Sequence, residues 1–411
     1  MRILLVSALA SRAGGADVYT EELALGLANR GHSITVVCHG ASECVKQACE
    51  TAIAELPDYD AWRGLWRIAP WLRWRFWQKY LATSTIATPD VMICSKSVCS
   101  SALVRRFPGI PLIYLPHSRI EPVEIESVLW PQSSRIRRWL ACSIASACER
   151  WSLLHATKTV RFTAGNIQDL RQYYRLPEYT RFGVIPASVA EPLSSSPYNA
   201  SSPLRLLSVG RLVESKNLAF LLEGLSRFSS KAWTLDIVGD GPERRTLERQ
   251  TKQPGLSDQV RFHGHQNDIA PCYKRAHLFV FPSRLESLGL VVLEAMSHCV
   301  PTLSIRADGS RYRNANHEII TSGNNGIVAT GESEFLQRLQ SCIANPRQLS
   351  PLSYQARQTY LERHRPSVAL DRWEKLLLQV VANQIRTEAP SKCGPVSHDL
   401  QLRTVPATHE A

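Results

Sequence analysis

The chain has no Cys-x-x-Cys pair, although it holds eleven cysteines spread from Cys38 to Cys393. That scatter and the odd count exclude a zinc knuckle and a complete disulfide framework, and they fit a reducing compartment. The glycine loop near the N-terminus is not Gly-x-Gly-x-x-Gly, so the dinucleotide fingerprint is missing there. No stretch approaches the roughly 18 apolar residues that a spanning helix needs, which points to a soluble or peripheral protein. Acids are in deficit: 36 Asp and Glu stand against 48 Lys and Arg, for a net charge of +12. That balance favours nucleic acid, anionic lipid or phosphorylated substrates as partners. Asp58-Tyr59-Asp60 matches a metal–diphosphate pattern, but no strand leads into it. No metal-ligand set is expected.

What is present supports a folded protein of some size. With 411 residues, 44% of them hydrophobic, the chain can bury two or three domain cores. At 20% charged residues, wholesale disorder is not expected. Met1–Ala10 has the look of a short leader, but a glycine loop and an amphipathic helix follow at once, so a first strand is the expectation. Short apolar strands alternate with helical patterns, which implies a parallel α/β architecture. Strands are expected at Ile3–Val6, Ile34–Cys38, Val91–Cys94 and Leu112–Leu115, then at Leu204–Val209, Thr234–Val238, Val260–Phe262, His277–Phe281 and Thr302–Ile305. A helix over Val18–Asn29 stops at Arg30-Gly31. The Ser- and Pro-rich stretch before Pro203 reads as a linker.

The fold class expected is α/β, with two Rossmann-like domains facing a cleft. The first domain takes residues 1–188, a linker 189–203, the second domain 204–365, and a final helix 366–385. A disordered tail is expected over 386–411. Ligands of open parallel sheets bind at the carboxyl ends of strands, and every notable loop here follows a strand.

Glu286 and Glu294 are the most informative pair. They lie eight positions apart around Gly289 and an apolar run. Glu286 reads as part of a strand-to-helix loop, and Glu294 as about two turns into the helix. Such a loop exposes backbone amides, and carboxylates beside them accept hydrogen bonds from hydroxyls. Arg211 and Lys216, in the loop after Val209, suit a diphosphate: one as a fork, the other as a point charge. His263 and Gly264 are candidates for a base pocket, and Gly14 and Gly15 for close approach of a ligand to backbone. His117, after the fourth strand, is placed to face the cleft; its charge state is open. Trp62–Tyr80 combines five tryptophans, five cations and no acid, with Pro70 interrupting. Trp62, Arg63, Trp66 and Arg67 there have the composition of a membrane-interface segment; packing against the first domain is the alternative.

Taken together, the ordered loops resemble the family 4 retaining glycosyltransferases of GT-B fold (glycosyl transferases group 1), over roughly residues 1–385. The matching residues are Gly14-Gly15-Ala16, Val209-Gly-Arg-Leu with Lys216, Ile237-Val-Gly-Asp-Gly-Pro-Glu, Val260-Arg-Phe-His-Gly, Phe281-Pro-Ser, Glu286 with Glu294-Ala-Met, and Trp373-Glu-Lys-Leu-Leu. The resemblance implies a final helix crossing back to the first domain. It implies a nucleotide-sugar donor, a UDP- or GDP-linked hexose, and a glycan or lipid-linked acceptor. No cofactor or metal is implied. Arg211 and Lys216 would neutralise the leaving diphosphate, and Glu294 would hold the ribose. Glu286, with the segment Ser287, Leu288, Gly289 and Leu290, would hold the sugar. Gly15 would let the first domain approach the phosphates or acceptor, and His117 would touch the sugar. Two departures stand out: Pro186-Ala187-Ser188 replaces the usual Asn-Gly, and an arginine-bearing run from Ser304 to Glu318 replaces a Gly-Gly. A sugar-nucleotide epimerase, a disaccharide phosphorylase and a non-enzymatic binder are the other readings. Dispersed basic residues without a nucleic-acid motif argue against nucleic acid. The expected location is the cytoplasm, at the membrane face.

Overall fold

The computed structural model describes residues 1–7, 15–38, 42–53, 70–117, 135–193, 199–253, 255–286 and 289–388; for 52–53, 70–74, 135–141 and 385–388 only the backbone is described. Gly14, Trp62, Arg63, Trp66, Arg67, Ser287 and Leu288 therefore lie outside the described residues.

Strands that are apolar on both faces at the centre and more polar at the edges build the first sheet. They are β1 (Arg2–Val6), β2 (Ser33–Cys38), β3 (Glu50–Ile53), β4 (Val91–Cys94), β5 (Leu112–Tyr114), β6 (Lys158–Arg161) and β7 (Phe182–Val184), all parallel in the order β3-β2-β1-β4-β5-β6-β7. Met92 of β4 and its neighbours are wholly buried, as strands covered by helices on both faces must be. The covering helices are α1 (Gly15–Asn29), α2 (Glu43–Ala48), α3 (Pro70–Thr83), α4 (Ser97–Arg106), α5 (Arg135–His155) and α6 (Ala164–Tyr174). α1 ends where expected: Gly31 takes a φ of 84° and its amide donates to the Ala28 carbonyl at 2.9 Å. Pro70 is the first residue of α3, a position that costs proline no hydrogen bond.

The second sheet follows the order β10-β9-β8-β11-β13-β15, again parallel. Its strands are β8 (Leu204–Val209), β9 (Trp233–Val238), β10 (Val260–Gly264), β11 (Leu278–Phe281), β13 (Thr302–Ile305) and β15 (Gly326–Ala329). A separate two-residue pair, β12 (Leu285–Glu286) with β14 (Arg313–Asn314), sets Glu286 beside Asn314. Its helices are α7 (Leu218–Ser226), α8 (Arg244–Thr251), α9 (Ala270–Arg275), α10 (Leu290–Ser297), α11 (Asn316–Ile319), α12 (Glu332–Ala344) and α13 (Leu349–Arg363).

The last helix, α14 (Pro366–Glu388), returns to the first sheet. Trp373, fully buried, donates its indole N–H to the Tyr19 hydroxyl at 2.8 Å. Arg30 pairs with Asp371 at 2.6 Å and Glu374 at 2.8 Å. α14 runs to Glu388, so residues 386–388, expected in the tail, are helical; the rest of that tail is outside the described residues. One apolar cluster runs from Ile3 and Leu27 through Phe279 and Met296 to Trp373 and Leu377, so the two sheets share a core. The chain crossing is pinned as well. The Tyr360 hydroxyl donates to the Val189 carbonyl at 3.0 Å, and His364 Nδ1 donates to Ala187 at 2.8 Å.

Candidate functional site

The carboxyl edge of the second sheet is where the loops converge. Gly210 and Gly239 end β8 and β9 with φ of 150° and 130°. A Cβ on Gly239 would fall 1.9 Å from the Gly210 carbonyl oxygen, so only glycine lets these two loops stack. Arg211 follows directly. It is exposed and has no ion-pair partner among the described residues. Lys216 ends a single 3₁₀ turn, Glu214–Lys216, whose Ser215 carbonyl accepts from the Arg284 amide at 2.8 Å and the Ser283 hydroxyl at 3.3 Å. These bonds fix the lysine to the loop after β11. Gly210, Arg211, Lys216 and Phe281 line one small crevice.

Lys216 Nζ sits 2.5 Å from Glu286 Oε2 and 5.2 Å from the Phe281 ring centroid. The sequence reading gave these two charges different parts of a ligand; the structure joins them. Both side chains are largely covered, and a covered charge needs a partner. An entering anion would share the ammonium and release one carboxylate oxygen for a hydroxyl.

Gly289 takes the left-handed conformation, φ 59°, and Leu290 opens α10. Glu294 is the fifth residue of that helix, one turn from its start rather than two, because Glu286 belongs to β12 and the helix begins only at Leu290. Its Oε2 accepts from the Tyr273 hydroxyl at 2.9 Å, and His298 stacks on Tyr273 with centroids 5.2 Å apart. Burial pushes the Glu294 carboxyl up, with the tyrosine bond opposing. Tyr273 was not singled out in the sequence, where only its lone hydroxyl in an otherwise apolar-and-basic helix hinted at a partner. His263 holds Asp236, one strand over, at 2.7 Å, which assigns the Nε2 proton to that bond. Gly264 has φ 69° and accepts from the Gly239 amide at 2.8 Å. Among the described residues, no group of three or more His, Cys, Asp or Glu could hold a metal ion.

The first domain supplies the facing wall. Gly15 opens α1, and a Cβ there would lie 2.8 Å from Leu290 Cδ1, so its close approach is to the second domain's α10. His117 Nε2 is 3.1 Å from Thr20 Oγ1. That hydroxyl donates to the Ala16 carbonyl at 2.9 Å, so it accepts from the imidazole N–H. Burial, with Lys96 and Arg161 adding, lowers His117 to about 3, so the ring is neutral at physiological pH. It packs against Tyr19 and Phe162. Arg161, buried on β6 and bonded to the Pro116 carbonyl, stiffens the same loop; burial lowers it to about 10. In the Trp-rich segment, Trp77 is buried with Leu81 against Met92 and Leu103, whereas Arg75 and Lys79 stay exposed. Among the described residues no helix is long and apolar enough to cross a membrane.

Known proteins match both walls. Residues 13–190 match the model of Glycosyltransferase Family 4, and residues 194–359 that of Glycosyl transferases group 1. The lipopolysaccharide core biosynthesis glycosyltransferase LpsE of Rhizobium meliloti is 29% identical over 180 residues, 43% of this chain and 50% of LpsE. The alignment thus spans half the length of that relative. Among solved structures, sucrose-phosphate synthase from Thermosynechococcus elongatus superposes with a TM-score of 0.72 at 18% identity, over 93% of this chain and 99% of that one. Anabaena HepE, in complex with UDP-glucose, gives 0.68 at 17%, over 92% and 100%. These structures share the fold of this chain, and with both family models matched in order along it the chain belongs to the family 4 glycosyltransferases of GT-B fold.

Proposed function

We propose that the chain transfers a hexose from a nucleotide diphospho-sugar, UDP- or GDP-linked, to a glycan or lipid-linked acceptor at the membrane surface, keeping the anomeric configuration. The observation that carries this is the grouping of Arg211, Lys216 and Glu286 at one strand edge, with Glu294 on the helix leaving it. Charge develops on the departing diphosphate. Cations already aimed there stabilise the transition state more than the bound donor. Arg211 is free to meet a phosphate; Lys216 is partly neutralised until one arrives. Glu286 and Glu294 then act as hydroxyl acceptors, on the sugar and the ribose, rather than as an acid–base couple. The neutral His117 contributes a hydrogen bond and not a charge. Attack on the face that the diphosphate leaves needs no covalent protein nucleophile, and no metal or cofactor is part of this scheme. Apposition of the walls limits hydrolysis of the activated sugar.

The site chemistry is tested with a panel of nucleotide sugars, read first by thermal shift, since a ligand of the folded state alone raises apparent stability. A stabilising donor then enters transfer assays with Lys216→Ala and Glu294→Ala. Near-normal turnover in both variants sinks the assignment. Membrane apposition draws on α3 and α4, where Arg75, Lys79, Arg105 and Arg106 are exposed and the described side chains include no acid. Sedimentation with vesicles containing anionic lipid checks it: binding should weaken as salt rises, and no binding removes this part of the proposal. A cytoplasmic location at the membrane face follows from the same reading.

A further inference from the structure

Glu318 bridges the two domains. Its carboxylate accepts two backbone hydrogen bonds from the other domain, from Ala164 N at 2.8 Å and Gly165 N at 2.7 Å. Those amides are the first two of α6, and such N–H groups have no partner inside their own helix. The third, Asn166 N, is taken by the Thr163 hydroxyl at 3.2 Å. An anion is favoured there by the helix dipole as well as by the two bonds.

Both ends of this bridge are mounted on the cleft walls. On the second-domain side Glu318 belongs to α11, whose Asn316 is buried and bonded to the Ser304 hydroxyl at 2.6 Å at the end of β13. Asn316 and Ile319 also border Gly289: a Cβ on that glycine would be 3.8 Å from Asn316 Oδ1 and 3.5 Å from Ile319 Cδ1. On the first-domain side α6 follows Phe162, the ring stacked on His117. The fit depends on glycine. A Cβ on Gly165 would lie 2.5 Å from Glu318 Oε1. Gly15 repeats the arrangement at the start of α1, where the Leu290 side chain fills the space of the missing Cβ. Two first-domain helices thus open on a glycine or next to one, and a second-domain side chain occupies each gap.

We infer that Glu318 is the closure latch of the cleft: it grips the start of α6 from the element bordering Gly289, and so sets the His117 wall against the donor loop. It is a positioning residue. The contact is solvent-exposed, so it is weak enough to open for substrate entry and product release and it weakens with salt. Its effect on transfer rests on the function proposed above; its effect on domain separation does not.

The test uses the full chain and three variants, Glu318→Ala, Glu318→Gln and Gly165→Ala. Alanine suits the first turn of a helix, so Gly165→Ala removes the latch without unfolding α6, and thermal unfolding checks all three. Small-angle scattering and amide exchange are read without ligand. Expected are a larger radius of gyration and faster exchange at Ala164 and Gly165 in the two alanine variants, with Glu318→Gln between them and wild type. An unchanged radius of gyration overturns the latch. So does faster exchange without expansion, which would make Glu318 a local helix cap. In transfer assays, kcat/KM should fall about two- to fivefold, the span of an exposed charge at a helix N-terminus, with hydrolysis rising relative to transfer. If wild type turns over no nucleotide sugar, the functional proposal fails while scattering still decides the latch.

Discussion

The two walls of the cleft have the same architecture and opposite chemistry. On the second sheet, strand ends present ionised groups: Arg211 exposed and Lys216 against Glu286. On the first, the comparable position holds a neutral His117, while the charge of Arg161 is buried beneath. A parallel sheet therefore fixes where a site lies and not what it binds. The wall with an exposed guanidinium suits a diphosphate; on the other, Lys96 and Arg161 lie near a His117 that stays neutral, and its ring suits hydroxyls.

The largest expected effect breaks this comparison if it fails. Lys216→Ala should lower kcat by on the order of 100-fold, the loss of one preplaced transition-state donor, whereas His117→Gln should cost less than tenfold. Steady-state kinetics on both variants check it; equal losses would mean that the walls are not specialised. Next comes Glu294→Gln, which keeps the shape and the Tyr273 contact but weakens a charged acceptor. A rise of donor KM by about tenfold is expected, the lower end for a hydrogen bond to a charged group, with acceptor KM unchanged. A change confined to the acceptor would put Glu294 on the wrong wall.

The histidines give a pH signature that sharpens the contrast further. His117 and His364 are held, chiefly by burial, at about 3 and about 4, below the ordinary value of 6.5. The unfolded chain takes up protons as pH falls below 6.5 while the folded sites do not. Folding stability from these groups is thus present above pH 6.5 and is lost as pH drops toward 4. Urea unfolding between pH 7 and 4.5 should show this slope, and His364→Asn, which retains a donor for the Ala187 carbonyl, should flatten it. The activity profile near neutrality should carry no inflection that His117→Gln abolishes.

The contrast also explains what could be read from sequence. Strands β1, β4, β8, β11 and β13 are apolar on both faces, and their runs were plain. β3, β7 and β15 were not, since each is a sheet edge with polar residues or glycine. β6 was missed because Lys158 and Arg161 mask a buried strand whose arginine meets the Pro116 carbonyl only in the fold. In the site, Arg211, Lys216, Glu286 and Glu294 were visible because strand-end loops of charge and glycine are local signals. Tyr273 on Glu294 and Glu318 on Gly165 were not, because those bonds close 21 and 153 residues of chain. No local pattern encodes such partners.

Glycine separates the walls at the smallest scale. Gly289 has φ 59°, a conformation that costs an ordinary residue roughly 1 kcal/mol. The nearest atoms to a Cβ there are at 3.5 Å and beyond, so Gly289→Ala meets strain of the backbone and not of packing. Gly15 is the reverse case. Its backbone lies in a helix, which favours alanine. The obstacle is the tip of Leu290, at 2.8 Å, the far end of a flexible side chain that can turn aside. Gly289→Ala should therefore lose about 1 kcal/mol in urea unfolding, and Gly15→Ala less. A larger loss at Gly15 would show that Leu290 cannot move, and hence that the first-domain wall is held as rigidly against α10 as the second sheet holds its own loops.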